Sequence, residues 1–463
     1  MIKTLKILAI GWLSLLSSLG ALAKSSLLDT TFDPGKGAQD GIIERVLPQP
    51  DGKILVCGNF TVFNGVTNSY IARLNVDGSV DTNFNSQVSY WVRTMSLQPD
   101  GKIVIGGFFT YVAGVPRNLI ARLNANGSLD TNFTPGLGAV GILGVAVDGD
   151  ADPFIFATAL QADGKILITG NFTNYNGTNI NGIARLTTNG MLDTTFNVGN
   201  GLNYASWGRS ITVLSNGQIL LTGWFTSYNN QPHNRMALLN PDGSVDPSFN
   251  PYFGDLTAVY GAVAMTNGQY VVVGDSQNTN VYFKRDMAKL NADGSFDTNF
   301  LAVSTDKTES VRQQSDGKIL IGGYFGVVNG QPYSGIARLN PNGSVDPTLS
   351  TAIDNFVWDI ELQKDGRILL SGGFSIIDGV SRHSVARLLS GSAPTWLNPQ
   401  LSGHIFSLSV PTLAQTSYTL QYITNFSQTN WISVCSTNGD GTTMSLTDPA
   451  AIDPARYYRV VSH

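Results

Sequence analysis

The chain has 463 residues, a formal net charge of −5 and only 13% charged residues, about half the share usual in soluble proteins. The acidic balance and the lack of a basic stripe argue against a nucleic-acid partner. The two cysteines, Cys57 and Cys435, lie far apart in sequence, which excludes a disulfide framework. Because the length exceeds the roughly 250–300 residues that one core supports, we expect several small cores.

Residues 1–23 have the features of a secretory signal peptide. Lys3 and Lys6 precede an apolar run, and residues 21–23 read Ala-Leu-Ala, a small-residue cleavage site. A single membrane anchor is the alternative, but the apolar run is shorter than the ~20 residues that a span needs. We therefore expect an exported protein without a transmembrane segment in the mature chain, in the periplasm, on the cell surface or outside the cell.

Residues 27–391 repeat one unit of about 50 residues. Residues 51–60 exemplify it: an Asp-Gly pair, an aliphatic run, then a glycine and a Phe. Asp-Gly and Asn-Gly pairs favour tight turns, and aliphatic runs of this length favour buried strands. Two further turns, a strand with Ala-Arg-Leu and a short segment such as residues 80–84 complete a predicted four-stranded unit. The turn pair occurs seven times, at residues 51–52, 100–101, 163–164, 216–217, 267–268, 316–317 and 365–366.

Four strands per unit and seven units predict an all-β, seven-bladed β-propeller. The fourth segment of the unit also occurs at residues 28–32, before the first complete blade, and is missing after the last. We therefore predict that residues 28–32 complete the last blade and close the ring, since closure removes exposed strand edges.

The repeats resemble the delta-60 repeat family, which is also known as a β-propeller domain of unknown function. The resemblance is carried by the Leu-Asp-Thr-Thr-Phe of residues 28–32, the Pro-Asp-Gly-Lys-Ile-Leu of residues 50–55, and the Gly-Asn-Phe and Ala-Arg-Leu-Asn that follow. It covers about 365 residues and is weakest in blade five, where Ser276 replaces the Phe. The resemblance implies a propeller and export, and no known ligand.

After a predicted linker at residues 392–401, residues 402–463 contain at least five short alternating runs. Such runs predict a small Ig-like or fibronectin-like β-sandwich. The Tyr-Thr-Leu-Gln of residues 418–421, Trp431 and the Arg-Tyr-Tyr-Arg-Val of residues 456–460 resemble the small C-terminal modules of exported proteins from Verrucomicrobia-type bacteria. The resemblance implies a role in surface attachment or sorting.

The connections between blades vary in length and should share one face with the second turn of each blade, which makes that face the expected binding surface. Aromatic side chains near Asn and Asp suit sugar rings, although the same aromatics could instead wedge between blades. The candidate ligand-binding residues are Tyr90, Trp91, Tyr204, Trp207, Tyr252, Phe356 and Trp358.

Charged residues seven positions before the turns should lie at the mouth of the central channel: Glu44, Arg93, Arg209 and Glu309. The two carboxylates could act as an acid/base pair on a glycoside, or each could form a structural ion pair with an arginine. Asp148, Asp150 and Asp152 are a candidate Ca²⁺ site in the longest connection, the alternative being a solvated acidic loop.

Two functions are consistent with these features. The first is an exported, non-enzymatic binding or adhesion protein for a glycan or an extracellular protein. The second is a polysaccharide-active enzyme that uses Glu44 and Glu309. The sequence has no zinc-like histidine spacing, nucleophile elbow or phosphate loop in a supporting context, which favours the first.

Overall fold

The computed structural model describes residues 27–68, 70–141, 153–203, 206–253, 258–275, 286–389, 397–412, 417–425, 430–439, 443–452 and 456–462. The predicted signal peptide lies outside these residues. The described residues form strands and turns, and among them no helix could cross a membrane. The chain divides into two compact units, one formed by Leu28–Leu362 and Ile368–Leu389, the other including Ser390–His463.

The first unit consists of seven three-stranded antiparallel sheets, which are the blades of a β-propeller. The inner strands are Ile43–Pro48, Val92–Leu97, Phe154–Leu160, Trp207–Val213, Ala258–Ala264, Thr308–Gln313 and Val357–Leu362. The middle strands are Ile54–Gly58, Ile103–Gly107, Ile166–Asn171, Ile219–Trp224, Tyr270–Asp275, Ile319–Gly323 and Ile368–Gly372. The outer strands are Ile71–Leu74, Ile120–Leu123, Ile183–Leu186, Met236–Leu239, Met287–Leu290, Ile336–Leu339 and Val385–Leu388.

The hydrophobic core lies between neighbouring blades rather than at one centre. The middle strands are almost wholly buried, as their aliphatic composition predicts. Leu55 and Cys57 of blade one pack with Val92 and Ile105 of blade two in one cluster. Each blade therefore buries its faces against its neighbours, as in other repeat architectures.

The fourth segment of each repeat is shorter than the predicted fourth strand. It joins the sheet through a single bridge, such as that of Val80 with Leu74. The chain then turns away because the carboxylate of Asp81 accepts a hydrogen bond from the backbone N–H of Asn83. The bridges are Leu74–Val80, Leu123–Leu129, Leu186–Leu192, Leu239–Val245, Leu290–Phe296, Leu339–Val345 and Leu28–Leu388.

The last of these bridges closes the ring as predicted. Leu28, at the start of the described chain, pairs with Leu388 of blade seven. The backbone N–H of Asp29 donates to the carbonyl of Arg387 at 2.9 Å. The first segment therefore completes the last blade, and closure depends on contacts between the two ends of the repeat array.

A buried arginine ties each of several blades to its own fourth segment and to the next blade. In blade seven, Arg387 Nε lies 2.7 Å from the Asp29 carboxylate, and its guanidinium stacks over the ring of Phe32. A further nitrogen of Arg387 donates to the carbonyl of Val76 in blade one. Arg73, Arg122 and Arg185 make the equivalent contacts, so the Ala-Arg-Leu motif is an inter-blade clip.

Within the described residues, which omit 276–285 of blade five, six blades carry a short hairpin between the middle and outer strands. In blade one it consists of Val62–Phe63 and Val66–Thr67, and the preceding connection pairs with it through Ala38. The other hairpins are Tyr111–Val112 with Val115–Pro116, Asn174–Tyr175 with Thr178–Asn179 (joined by Ala139–Val140), Ser227–Tyr228 with Gln231–Pro232, Val327–Val328 with Gln331–Pro332, and Ile376–Ile377 with Val380–Ser381.

The C-terminal unit contains two three-stranded antiparallel sheets around one small core. Their strands are Leu397–Ser402, Ile405–Pro411 and Thr443–Asp448 in one sheet, and Ser417–Ile423, Ile432–Asn438 and Tyr457–Ser462 in the other. The first strand begins at Leu397, inside the segment predicted as a linker. Phe406 and Leu408 of one sheet pack with Leu420 and Val460 of the other. The other five strands lie within residues 402–463, where alternating runs predicted strands, and the Ig-like assignment stays a prediction.

Candidate functional site

Every inner strand contains a β-bulge at the same place. In blade one the register skips Glu44, because Ile43 pairs with Gly58 and Arg45 pairs with Cys57. A Cβ on Gly58 would lie only 2.1 Å from the carbonyl oxygen of Ile42. The repeated strand glycine is therefore needed because another backbone passes close to it. The bulged residues of the seven blades are Glu44, Arg93, Phe156, Arg209, Tyr260, Glu309 and Trp358.

These seven bulged side chains come together at the axis, and we call them the axial plug. Arg93 pairs with Glu44 at 2.5 Å, and Arg209 pairs with Glu309 at 2.9 Å. Both guanidinium groups also lie over the Phe156 ring, at 5.0 and 4.7 Å from its centroid. A bulge re-aims the side chain it carries, so two ion pairs and three aromatic rings meet where the inner strands converge.

Burial and the opposing charges of neighbouring groups both shift the pKa values in the plug. Glu44 is 1% exposed, and burial raises the pKa of its carboxyl against the opposing charges of Arg93 and Arg209. Burial likewise lowers the pKa of Arg93 to about 10, although the Glu44 charge opposes it. Burial alone would lower the pKa of Arg209, but Glu309, Tyr260 and Glu44 together outweigh it and raise that pKa.

The plug explains how the four residues predicted at the channel mouth are used. Each glutamate is paired with an arginine. This is the structural ion pair that the sequence analysis gave as the alternative to an acid/base pair. A carboxylate that is buried and held by a guanidinium is poorly placed to exchange protons with a substrate. The contacts of Glu44 and Glu309 therefore favour a structural role.

Aromatic rings continue from the plug along the inner strands in the N-terminal direction. One run of ring contacts joins Trp91, Phe108, Phe154, Phe156, Trp207 and Tyr260, with centroids 4.3–6.5 Å apart. A second joins Tyr324, Phe356 and Trp358, with Tyr324 stacked on Phe356 at 4.3 Å. We call these two runs, with Trp224, the aromatic face.

The aromatic face is only partly accessible. Tyr324 is 39% exposed and Trp224 is 38% exposed, while Trp207 is buried at 2%. The guanidinium of Arg235 lies 5.8 Å from the Trp224 ring centroid. Polar groups from blades five and six adjoin the rings: the Tyr260 hydroxyl donates to Asp275 at 3.4 Å, and Asp275 pairs with Lys307 at 3.3 Å.

The structure brings together four of the seven predicted ligand-binding aromatics: Trp91, Trp207, Phe356 and Trp358. Of these, Trp207 packs in the interior, as the wedge alternative expected. Tyr90 lies apart, 54% exposed, with its ring against Tyr70 at 5.8 Å. Tyr252 is 71% exposed and belongs to neither run. Tyr204 lies outside the described residues.

Sequence reasoning missed Phe108, Phe154, Trp224 and Tyr324. Phe108, Trp224 and Tyr324 each stand directly after the strand glycine, so one register position of the repeat carries them. In blade four that position pairs across the sheet with the residue two before the bulge, Trp224 with Trp207. Comparing this position across the repeats would have found them.

The candidate Ca²⁺ ligands Asp148, Asp150 and Asp152 lie outside the described residues. Within the described ranges, no three His, Cys, Asp or Glu side chains cluster as a metal site would require. The third turns use their carboxylates internally, since Asp77 accepts hydrogen bonds from the backbone and hydroxyl of Ser79.

Several solved structures are similar to this chain at low sequence identity. The WD40 β-propeller domain of Doa1 matches 78% of this chain and 96% of its own, with 11% identity and a TM-score of 0.50. The extracellular domain of the hybrid two-component system BT4673 from B. thetaiotaomicron has 11% identity and a TM-score of 0.42. A puromycin-hydrolysing peptidase of Mycobacterium tuberculosis has 11% identity and a TM-score of 0.41.

In the last two matches the aligned region covers 84% of this chain. It covers only 45% of the BT4673 chain and 61% of the peptidase chain. The similarity to the Doa1 propeller describes the fold alone. A search of curated proteins gave no match.

A family profile matches all seven repeats, in segments that together make up more than half of the chain. The matched residues are 49–84, 98–133, 161–196, 214–249, 266–300, 314–349 and 363–393. They contain the turn, the strand glycine, the Ala-Arg-Leu clip and the fourth segment of the repeats. The chain belongs to the family described as the domain of unknown function (DUF5122) beta-propeller.

Proposed function

We propose that this chain is an exported, non-enzymatic binding protein whose propeller holds a glycan on its aromatic face. The observation that carries the proposal is the partly exposed set of rings around the axis, next to the Lys307–Asp275 pair. Aromatic rings stack on the apolar faces of sugars, and flanking charged groups bind their hydroxyls. An extracellular protein is the other ligand class for the same surface.

Export is part of this proposal. It is supported by the predicted signal peptide at residues 1–23 and by the low share of charged residues. The C-terminal unit would then serve in attachment or sorting, as its resemblance to modules of exported proteins implies.

The enzymatic alternative assigns Glu44 and Glu309 to acid/base chemistry on a polysaccharide. The two ion pairs argue against it, because either acid/base role requires the glutamate to take up a proton, which would neutralise the carboxylate paired with a buried arginine. We therefore prefer binding without turnover.

The test is a glycan array probed with the mature chain, followed by titration of the best ligand. Tyr324→Ala and Trp224→Ala should each weaken binding about tenfold or more, which is about 1.4 kcal/mol. Tyr111→Ala is the matched control, since Tyr111 is 50% exposed on a short hairpin and should leave affinity unchanged. Equal affinity of wild type and both aromatic-face variants would refute the proposed surface.

A double variant, Glu44→Gln with Glu309→Gln, separates binding from catalysis. We expect retained glycan binding and no hydrolysis by either protein. Hydrolysis by the wild type that disappears in the double variant, with an unchanged melting temperature, would establish the enzyme instead.

A further inference from the structure

A second concave site lies on the C-terminal side of the plug, inside the ring of inner strands. It is a cavity of about 330 Å³ lined by inner-strand residues from all seven blades, and we call it the axial cavity. Arg312 and Glu361 in its wall are 32% and 29% exposed, so solvent reaches it. The plug lies between this cavity and the outer part of the aromatic face, because the bulges separate the two along every inner strand.

One wall of the axial cavity carries a charge-balanced cluster. Asp359 lies 3.2 Å from Arg45 and 3.4 Å from Arg312, and Arg312 also pairs with Glu361. Asp359 is 1% exposed, so this carboxylate is fixed in the wall. Two arginines and two carboxylates neutralise one another, and a charged ligand would leave one charge unmatched.

The inner strands also present backbone donors to the cavity. In three blades, the N–H two residues after the bulge donates to a side chain of the preceding blade. Val46 donates to Asp359 at 3.3 Å, and Ile360 donates to Ser310 at 3.2 Å. Thr158 likewise donates to Thr94 at 3.2 Å.

Three other blades lack this acceptor. The residue at the acceptor position is Arg45, Ala157 or Gly261, and none of them carries an acceptor group. The equivalent N–H groups, which share the strand register of Val46, are those of Met95, Ile211 and Val311. These donors therefore face the axial cavity without that partner, and buried donors seek acceptors.

We propose that the axial cavity binds one small neutral polyhydroxylated molecule, of the size of a monosaccharide. Hydroxyl oxygens accept from the three open N–H groups, and hydroxyl hydrogens donate to the Asp359 and Glu361 carboxylates. Tyr260 of the plug lines the cavity and offers an aromatic surface to the ring. The volume lies at the lower end of the range for small-molecule pockets.

The test uses the mature chain and a panel of D-glucose, D-galactose, D-mannose, N-acetylglucosamine and myo-inositol, measured by ligand-observed NMR and calorimetry. At least one compound should bind with a dissociation constant below about 10 mM, the range expected for so few contacts. Ala157→Leu, which fills the cavity away from the ion cluster, should weaken that binding at least about tenfold while the melting temperature holds.

Tyr324→Ala distinguishes this site from the aromatic face, because it should leave cavity binding unchanged. Thr212→Val, a near-isosteric change in the lining, should weaken binding without affecting folding. No binding by any of the five compounds, tight binding that survives Ala157→Leu, or a preference for glucuronate over glucose would overturn the proposal.

Discussion

Removing the carboxylate of Asp29 tests the closure of the ring most directly. Asp29 is 5% exposed, and its partner Arg387 has a side-chain exposure of 2%. Asp29→Ala removes the carboxylate that pairs with the buried Arg387 guanidinium, while the backbone bridge of Leu28 with Leu388 is untouched. The substitution also removes the turn contacts of Asp29 with Thr31, so a control that loses only such turn contacts is needed to isolate the ion pair.

The cost should be large because the pair is buried. Breaking a buried ion pair by removing one partner typically costs about 3–5 kcal/mol. A loss of 1 kcal/mol lowers the melting temperature of a large domain by about 2–4 °C. We therefore expect Asp29→Ala to melt at least about 6 °C below the wild type.

Blade four supplies a matched control. Asp246 makes the same turn contacts to Ser248 that Asp29 makes to Thr31, through the backbone N–H and the hydroxyl. However, Leu238 stands where the arginine would be, and Gln218 is the side-chain partner of Asp246. Asp246→Ala removes hydrogen bonds to a carboxylate but no ion pair with a buried arginine, so it should cost less, about 1.5–3 kcal/mol.

The assay is calorimetry with urea titration on the three proteins, together with the double variant Asp29→Ala, Arg387→Leu. The double variant reproduces the leucine of blade four and should regain part of the lost stability, because no unpaired charge remains. Equal losses for Asp29→Ala and Asp246→Ala would refute the reasoning, since the arginine would then contribute nothing to the seam.

Three further outcomes follow from the same contacts. Gly170→Ala should lower the melting temperature by several degrees, because its Cβ would lie 2.1 Å from a carbonyl oxygen, whereas Gly326→Ala meets no atom within 4 Å and should be neutral. A maleimide should label the native protein at Cys435 and leave Cys57 unmodified until unfolding, since Cys57 is fully buried and burial raises its thiol pKa. Burial raises the pKa of Asp81, but hydrogen bonds from Lys53, the backbone N–H of Asn83 and Arg73 outweigh it and lower that pKa from 3.8 to about 2. Ionised Asp81 therefore stabilises the fold above about pH 4, and this stabilisation is lost as the pH falls through 2. In Asp81→Asn the urea midpoint should change less with pH over that interval than in the wild type.

The sequence predicted the ring because its strongest signals are local. Asp-Gly turns, aliphatic runs and the displaced segment at residues 28–32 specify the blades and their closure through short-range chemistry. The fourth strand was overestimated, since the Asp81 turn ends its pairing after one bridge. That outcome depends on a side chain folding back on its own backbone, which periodicity does not report.

The arrangement of side chains at the axis was harder to predict, because no particular residue type marks the position of the β-bulge. The residues before the turns were identified as a set, and their position near the axis followed from spacing. Which arginine pairs with which glutamate depends on the bulge aiming each side chain. Glu44 with Arg93 joins neighbouring blades, whereas Arg209 with Glu309 spans from blade four to blade six.

The bulge opposite each strand glycine separates the architecture of the ring from the chemistry at its centre. Seven backbones share one geometry, yet the bulged positions hold acids, bases and aromatics without altering it. A substitution at a bulged position changes the side chain presented at the propeller axis, while the surrounding sheets keep their register. Descendants of such a chain could acquire new central contacts one residue at a time, with no need to rebuild the scaffold.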